Sequence, residues 1–281
     1  MHPFFLAKKE VLLYHMRRGD TMKRIESRDN KWVKRLNGLK IKKNRDKEGV
    51  FVAEGLRFIS EVPENWPVEA YAVSETFAYE NDMAPYEKKA EVLCLPDALF
   101  ASVCDTENPQ GILAVCKKLA WDEEAVFAKK TPFLILAEEL NDPGNLGTVI
   151  RTADACGADG VFLSKGSVDL YNPKVLRSTM GSMFHVPVFQ NVDLKEMSAK
   201  LKENHIPLYA AHLKGDTYPY GLDLAASCAF IIGNEARGLS DEAADLCDRW
   251  VKIPMPGQAE SLNASIAAGV LMYEVVRQRL K

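Results

Sequence analysis

Residues 230–263 read FIIGNEARGLSDEAADLCDRWVKIPMPGQAESLN, and two apolar runs inside them decide the fold. The first, Ala229 to Ile232, stops at Gly233 and opens into the polar turn Asn234, Glu235, Ala236, Arg237, Gly238. The second, Trp250 to Ile253, stops at Pro254, Met255, Pro256 and Gly257, and from Ser261 a run of small residues reads as a helix. Two buried strands thus end side by side in polar loops, the position where open α/β sheets hold ligands. Gly and Pro are the ordinary vocabulary of turns. Glu235, Arg237, Ser261 and Asn263 crowding the same strand ends are not.

Working outward, Phe133 to Lys281 alternates between strands, at 133–137, 161–163, 186–189, 207–212, 229–232 and 250–253, and helices, at about 146–156, 172–183, 193–204, 240–247 and 261–280. That rhythm predicts a parallel sheet with helices on both sides. The turn after the first strand, Asn141-Asp142-Pro143-Gly144-Asn145, is rich in Asx and Gly and opens a helix. It carries no dinucleotide-binding glycine fingerprint, which argues against a nicotinamide-dependent enzyme.

Three ordered pieces carry a resemblance. Asn145, Gly147, Arg151 and Thr152 in NDPGNLGTVIRTADACGADG (141–160) fit N-x-G-x-x-x-R-T, and the two loops quoted first follow in order. Together they resemble the three motifs of the SpoU (TrmH-like) RNA ribose 2′-O-methyltransferases. The resemblance implies an α/β catalytic domain with a parallel sheet and a C-terminal trefoil knot, a feature sequence rules alone would not predict because knots are rare. It also implies S-adenosylmethionine as cofactor, with Gly233, Ile253 and Leu262 at the cofactor-binding positions and Arg151, Asn145, Glu235, Ser261 and Asn263 at the catalytic ones. Gly233 would let backbone approach closely, while Ile253 and Leu262 would flank adenine; plain core packing is the other reading of those two. For Arg151 the other reading is a surface salt bridge. An arginine side chain keeps its proton far above neutral pH, so positioning of the ribose hydroxyl and phosphate by its planar fork is favoured over proton removal.

The N-terminal part reads differently. Residues 22–60 hold 12 Lys and Arg against 5 Asp and Glu, a local +7 in a chain whose net charge is −3. In KWVKRLNGLKIKKNRDKEG, Trp32, Leu36, Leu39 and Ile41 fall near helical spacing with cations between them, so one face would pack while Lys40, Lys42, Lys43 and Arg45 would meet RNA phosphates. A solvated helix face is the commoner fate of such a run. The pattern SRDNKWVKRL, FVAEG and DTENPQGILAV resembles, more loosely than the catalytic motifs, the RNA-binding substrate domain of many SpoU-type enzymes. The expected organisation is a poorly ordered extension at 1–21, a small substrate-binding α/β domain at 22–117, an irregular linker at 118–132 and a knotted methyltransferase domain at 133–281.

No apolar run approaches the ~18 residues of a membrane helix, and the N-terminal residues lack the unbroken apolar core of a secretory signal. Six scattered cysteines with no C-x-x-C pair read as reduced and cytoplasmic. The five histidines show no metal spacing, and no metal is expected. The final helix is apolar or small nearly all round from Ala264 to Tyr273, which predicts burial of one face on its own sheet and of the other against a twofold mate. The function expected is methylation of a ribose 2′-OH in structured RNA, ribosomal RNA before transfer RNA. A non-catalytic RNA-binding protein on the same fold is the alternative, and the intact polar motif positions weigh against it.

Overall fold

The computed structural model describes residues 22–280; the extension at 1–21 lies outside them. The chain divides after Leu119 into two compact units.

The first unit runs β1 (Lys23–Arg24), α1 (Lys31–Gly38), α2 (Lys42–Glu48), β2 (Val50–Glu54), α3 (Leu56–Ile59), β3 (Val68–Ser74), α4 (Glu75–Glu80), α5 (Ala84–Glu87), β4 (Glu91–Leu95), α6 (Asp97–Val103) and β5 (Ile112–Lys117). Its five strands lie in the order β1-β4-β3-β5-β2. β1 and β3 flank β4 in parallel, and β5 runs antiparallel to both β3 and β2. Helix α1 starts where the Asn30 side chain accepts from Trp32 N–H, and it drives Val33 and Leu36 into a core shared with Leu39, Val50, Leu93 and Phe100. Trp32 packs against that core half-buried, and the expected apolar face ends at Leu39: the helix stops at Gly38, and Ile41 is 58% exposed.

The second unit runs α7 (Glu123–Phe127), β6 (Phe133–Ala137), α8 (Pro143–Ala155), β7 (Gly160–Ser164), α9 (Pro173–Thr179), β8 (Val188–Val192), α10 (Leu194–Glu203), β9 (Leu208–Ala211), β10 (Cys228–Ile232), α11 (Asp241–Asp245), β11 (Arg249–Val251) and α12 (Ala264–Arg279). The six strands form one sheet in the order β11-β9-β10-β6-β7-β8, every pairing parallel. A parallel sheet needs cover on both faces, and the central strands β6, β7 and β10 are buried at every residue. On one face Leu134, Leu136, Phe162, Leu208 and Ile231 pack with Val126 and Phe127 of α7, Met197 and Leu201 of α10 and Ala243 of α11. On the other, α8 packs against β7 and α12 against β10 and α8, with Val149, Ile150, Leu271, Met272 and Val275 buried.

Several expectations change. The strands at 229–232 and 250–253, expected side by side, are separated by β9, which pairs with both. The stretch 118–132, expected as an irregular linker, contains α7, whose start is capped by Asp122 and whose Val126 and Phe127 belong to the second unit's core. Its apolar pair is hidden in the sequence by flanking charge. The last strand ends at Val251 rather than Ile253, and the last helix begins at Ala264 rather than Ser261. The residues between form a long loop, because Asn263, not Ser261, is the N-cap: its side chain accepts from Ser265 N–H and Ile266 N–H.

The glycine of N-x-G-x-x-x-R-T has a packing reason. A Cβ on Gly147 would lie 2.2 Å from Ser178 Cβ and 3.0 Å from Val175 O, so α8 and α9 touch backbone to backbone there. Gly147→Ala should gain roughly 1 kcal/mol of helix propensity but lose about 2–3 kcal/mol to overpacking. Denaturant unfolding should show a lowered midpoint; an equal or higher midpoint would show that the two helices have room.

Candidate functional site

The chain leaves β6 through residues 138–142 and β10 through residues 233–240, and carboxylates stitch these adjacent exits together. Glu138 accepts from Ser240 N–H at 2.8 Å and from its hydroxyl at 2.6 Å. The Glu139 carbonyl accepts from Asn234 Nδ2 at 2.8 Å, and its carboxylate pairs with Arg237. Glu235 reaches the other way, accepting from Asp142 N–H at 2.9 Å, Asn141 N–H at 3.2 Å and Asn145 Nδ2 at 3.1 Å. Its carboxylate thus sits at the start of α8, where N–H groups lack helical partners and the dipole favours negative charge.

From Asn145 the network crosses to the start of α12. Asn145 Oδ1 accepts from Asn263 Nδ2 at 3.0 Å, and Asn263 Oδ1 accepts from Ser265 N–H at 2.9 Å and the Ser265 hydroxyl at 2.7 Å. Three expected residues, Glu235, Asn145 and Asn263, therefore form one hydrogen-bonded chain joining two helix N-termini. Arg151 is not part of it. Six residues beyond Asn145 and roughly 9 Å further along α8, it is exposed, and no hydrogen bond or ion pair holds its side chain among the described residues.

Beside this network the ends of β9, β10 and β11 and the loop before α12 enclose a cavity of about 260 Å³. Gly233, Ile253 and Leu262, the three expected cofactor residues, all border it, and so do Ser261 and Glu235. Its apolar wall includes Leu239, Val251, Ile253, Met255, Leu262 and Ala267. An apolar wall with few polar groups suits a purine-bearing ligand. At Gly233 backbone does approach closely: a Cβ there would lie 2.2 Å from Leu239 N and 2.3 Å from Gly238 C. What comes close is its own loop, folded back through paired backbone hydrogen bonds between Asn234 and Gly238.

Burial pushes the Glu235 carboxyl up, but the N–H groups of Asp142, Glu235 itself, Asn145 and Asn141 outweigh it and hold it below the usual carboxylate range. Burial, with Lys214 nearby, holds His212 below its ordinary value against the opposing pull of Asp241. Its ring lies 4.4 Å from that of Trp250.

Sequence reasoning missed Glu138, Glu139, Asn234 and Ser265. Asn234 had a signal, an Asn followed four residues later by Gly in a turn; its Oδ1 accepts from Ala236 N–H and Arg237 N–H. Glu139 had none, and its left-handed backbone (φ 45°) is visible only in three dimensions.

In the first unit the four expected RNA-contacting cations separate. Lys43 is exposed, with no partner among the described residues. Lys42 is exposed and pairs with Asp46 at 2.6 Å. Lys40 closes the end of α6, donating to Cys104 O at 2.8 Å. Arg45 has to be removed from the set: it is 4% exposed and donates to Leu39 O at 2.9 Å and Lys40 O at 2.8 Å. It satisfies carbonyls left free where α1 ends, so it is a structural cation. Among the described residues no cluster of His, Cys, Asp and Glu could hold a metal, no helix is long and apolar enough to cross a membrane, and the six cysteines are unpaired.

Residues 132–273 match the SpoU rRNA methylase family, and residues 30–114 match the MRM3-like substrate binding domain. The chain is 36% identical over 256 residues to the 23S rRNA (guanosine(2553)-2′-O)-methyltransferase RlmP of Bacillus subtilis, an alignment covering 90% of this chain and 99% of that protein. It is 31% identical to the 23S rRNA (uridine(2479)-2′-O)-methyltransferase of Streptomyces viridochromogenes, covering 94% and 95%. The crystal structure of the SpoU methyltransferase AviRb from Streptomyces viridochromogenes in complex with AdoMet superposes with a TM-score of 0.82 at 30% identity, covering 90% of this chain and 99% of that one.

A carboxyl held below its ordinary range stabilises the fold above its unfolded value, near pH 4.3, and loses that contribution as pH falls through the folded value. Glu235→Gln keeps the shape and removes the charge. It should cost about 1 kcal/mol near neutral pH, a low figure for hydrogen bonds to a charged group because the site is exposed to solvent. The gap between wild type and variant should close as pH drops below ~4. Unfolding curves separated equally at pH 7 and pH 3 would contradict the assignment.

Proposed function

The chain belongs to the SpoU rRNA methylase family and is an S-adenosylmethionine-dependent RNA ribose 2′-O-methyltransferase; we propose that it acts on ribosomal RNA through the strand-end site of its second unit. The observation that carries this reading is the meeting of Gly233, Ile253 and Leu262 around one cavity, beside the network that ties Asn145 to Glu235 and Asn263. Bound S-adenosylmethionine supplies the methyl group on its own sulfonium. Ile253 and Leu262 would flank its adenine, and the 233–238 loop would border it without moving. Glu235, Asn145 and Asn263 act as positioning residues that fix the starts of α8 and α12. Ser261, exposed at the cavity border, would hydrogen-bond RNA.

Arg151 touches the substrate in this account. Its unengaged guanidinium would grip a phosphate beside the target ribose and orient the 2′-hydroxyl, whose proton leaves as the methyl arrives. The full-length relatives that act on 23S ribosomal RNA support ribosomal over transfer RNA, and the substrate-binding match to the first unit supports RNA contact there, with Lys43 and Lys42 facing solvent for phosphate. Work on ribosomal RNA would put the protein in the cytoplasm.

Two further features are part of the proposal. A trefoil knot in the second unit is supported by the sheet order β11-β9-β10: the last strand lies outside β9, and after the loop that carries Leu262 the chain comes back to pack as α12 on β10 and α8. A homodimer through this unit is supported by an unpartnered apolar stripe on α12, where Ile266, Val270 and Tyr273, at i, i+4 and i+7, are 53%, 42% and 55% exposed.

Labelled methyl transfer to protein-free 23S ribosomal RNA and to transfer RNA, followed by nucleotide mapping, tests the whole reading. Wild type should label one ribose of the ribosomal RNA. Arg151→Lys should keep less than about a tenth of the rate and Arg151→Ala less than about a hundredth, since charge survives in the first and the fork in neither. Near-normal single-turnover methylation by Arg151→Ala would remove Arg151 from the mechanism, and labelling of transfer RNA alone would overturn the substrate. On the same preparation, light scattering giving a monomer at micromolar concentration would contradict the dimer. Replacing Lys42 and Lys43 with Gln should flatten the salt dependence of RNA binding; an unchanged slope would rule them out as phosphate contacts.

A further inference from the structure

Among the described residues, three side chains bordering the strand-end cavity can carry charge: His212, Glu235 and Arg237. His212 is held below its ordinary range, so it is neutral at neutral pH. Glu235 is committed to Asn141, Asp142 and Asn145. Among the described residues, Arg237 is the one fixed cation of the lining. Its side chain is 71% exposed and its counter-ion, Glu139, comes from the neighbouring β6 exit.

Both partners are held by their backbones, which leaves the charged ends free to exchange partners. Arg237 N–H donates to Asn234 Oδ1 at 3.2 Å. Glu139 N–H donates to Ser164 Oγ at 2.9 Å, and its carbonyl accepts from Asn234 Nδ2 at 2.8 Å. Glu139 also keeps a left-handed backbone, φ 45°, without being glycine. Such a conformation persists only where the surroundings over-determine it, and it clusters at functional sites.

The cofactor of the preceding reading has an amino-acid end that needs charged partners. It carries one carboxylate and one ammonium beside the sulfonium. A lone guanidinium there would bind the carboxylate but repel the sulfonium. A guanidinium already balanced by a carboxylate adds no net charge and offers a complementary group for each end of the zwitterion. We propose that Arg237, at the border of the strand-end cavity, together with its ion-pair partner Glu139 from the β6 exit, is the subsite for the amino-acid end of S-adenosylmethionine, Arg237 donating to its α-carboxylate and Glu139 accepting from its α-ammonium. The assignment rests on the cofactor reading above. It concerns binding and orientation only; neither residue takes part in bond making.

Two neutral thioether ligands isolate this contact. S-adenosylhomocysteine has the amino-acid end, and 5′-methylthioadenosine shares its adenosine and sulfur but lacks that end. Calorimetry on the full chain should show Arg237→Ala weakening S-adenosylhomocysteine about tenfold or more, the scale of one charge-assisted hydrogen bond. Binding of 5′-methylthioadenosine should stay within about twofold. Arg237→Lys should fall between wild type and Arg237→Ala, keeping the charge and losing the fork. Glu139→Gln should weaken S-adenosylhomocysteine and spare 5′-methylthioadenosine.

Unchanged S-adenosylhomocysteine binding by Arg237→Ala would overturn the assignment. So would equal losses for both ligands, which would mark a distorted loop, or a loss confined to RNA affinity, which would make Arg237 an RNA contact. A wild-type chain that bound neither ligand would sink the cofactor reading itself, and this subsite with it.

Discussion

Two neighbouring parallel strands, β6 and β10, end at the same level of the sheet, and the backbone groups of their exits must find partners there. Carboxylates and amides meet that demand. Glu138 takes the start of α11 through Ser240, Glu235 takes the N–H groups before α8, and the Glu139 carbonyl takes the Asn234 amide. Each bond crosses between segments about a hundred residues apart in sequence, so the two exits are fixed against each other rather than each by its own turn. These bonds are exposed to solvent, so each adds a modest amount and water can take over a donor left behind.

From that stitching the functional geometry follows. Asn145 at the start of α8 is held by Glu235 on one side and Asn263 on the other, which brings the loop before α12 over the ends of β9, β10 and β11. The cavity lies under that loop. Its floor is the folded-back 233–238 turn, possible only because position 233 lacks a Cβ. A polar rim that fixes positions and an apolar wall are thus built from adjacent residues of the same loops. Arg151 stands apart from the rim, exposed and with no side-chain hydrogen bond or ion pair among the described residues.

Much of this was legible in the residue pattern. Near-continuous apolar runs such as Phe133–Ala137 and Cys228–Ile232 read as buried parallel strands, and the two later motifs fall in loops that border one cavity. Less legible was whatever depended on partners distant in sequence. Arg45 reads as one cation in a basic run, yet its guanidinium is consumed by two carbonyls at the end of the preceding helix. Ser261 and Asn263 are both good helix caps by type, and only the geometry of the long loop assigns the cap to Asn263. The charged stretch at 118–132 conceals α7 because its two core residues, Val126 and Phe127, are too few to show a helical period. Glu139 could not be singled out at all, since nothing in the sequence marks a glutamate that adopts a left-handed backbone.

A crystal structure of the full chain soaked with S-adenosylhomocysteine tests the central claim most directly. The account predicts the adenine between Ile253 and Leu262 and the 233–238 loop in its present place, with Glu235 still bonded to Asn141, Asp142 and Asn145. Ligand bound elsewhere, at the start of α8 for instance, or a Glu235 carboxylate released from those three partners, would contradict it.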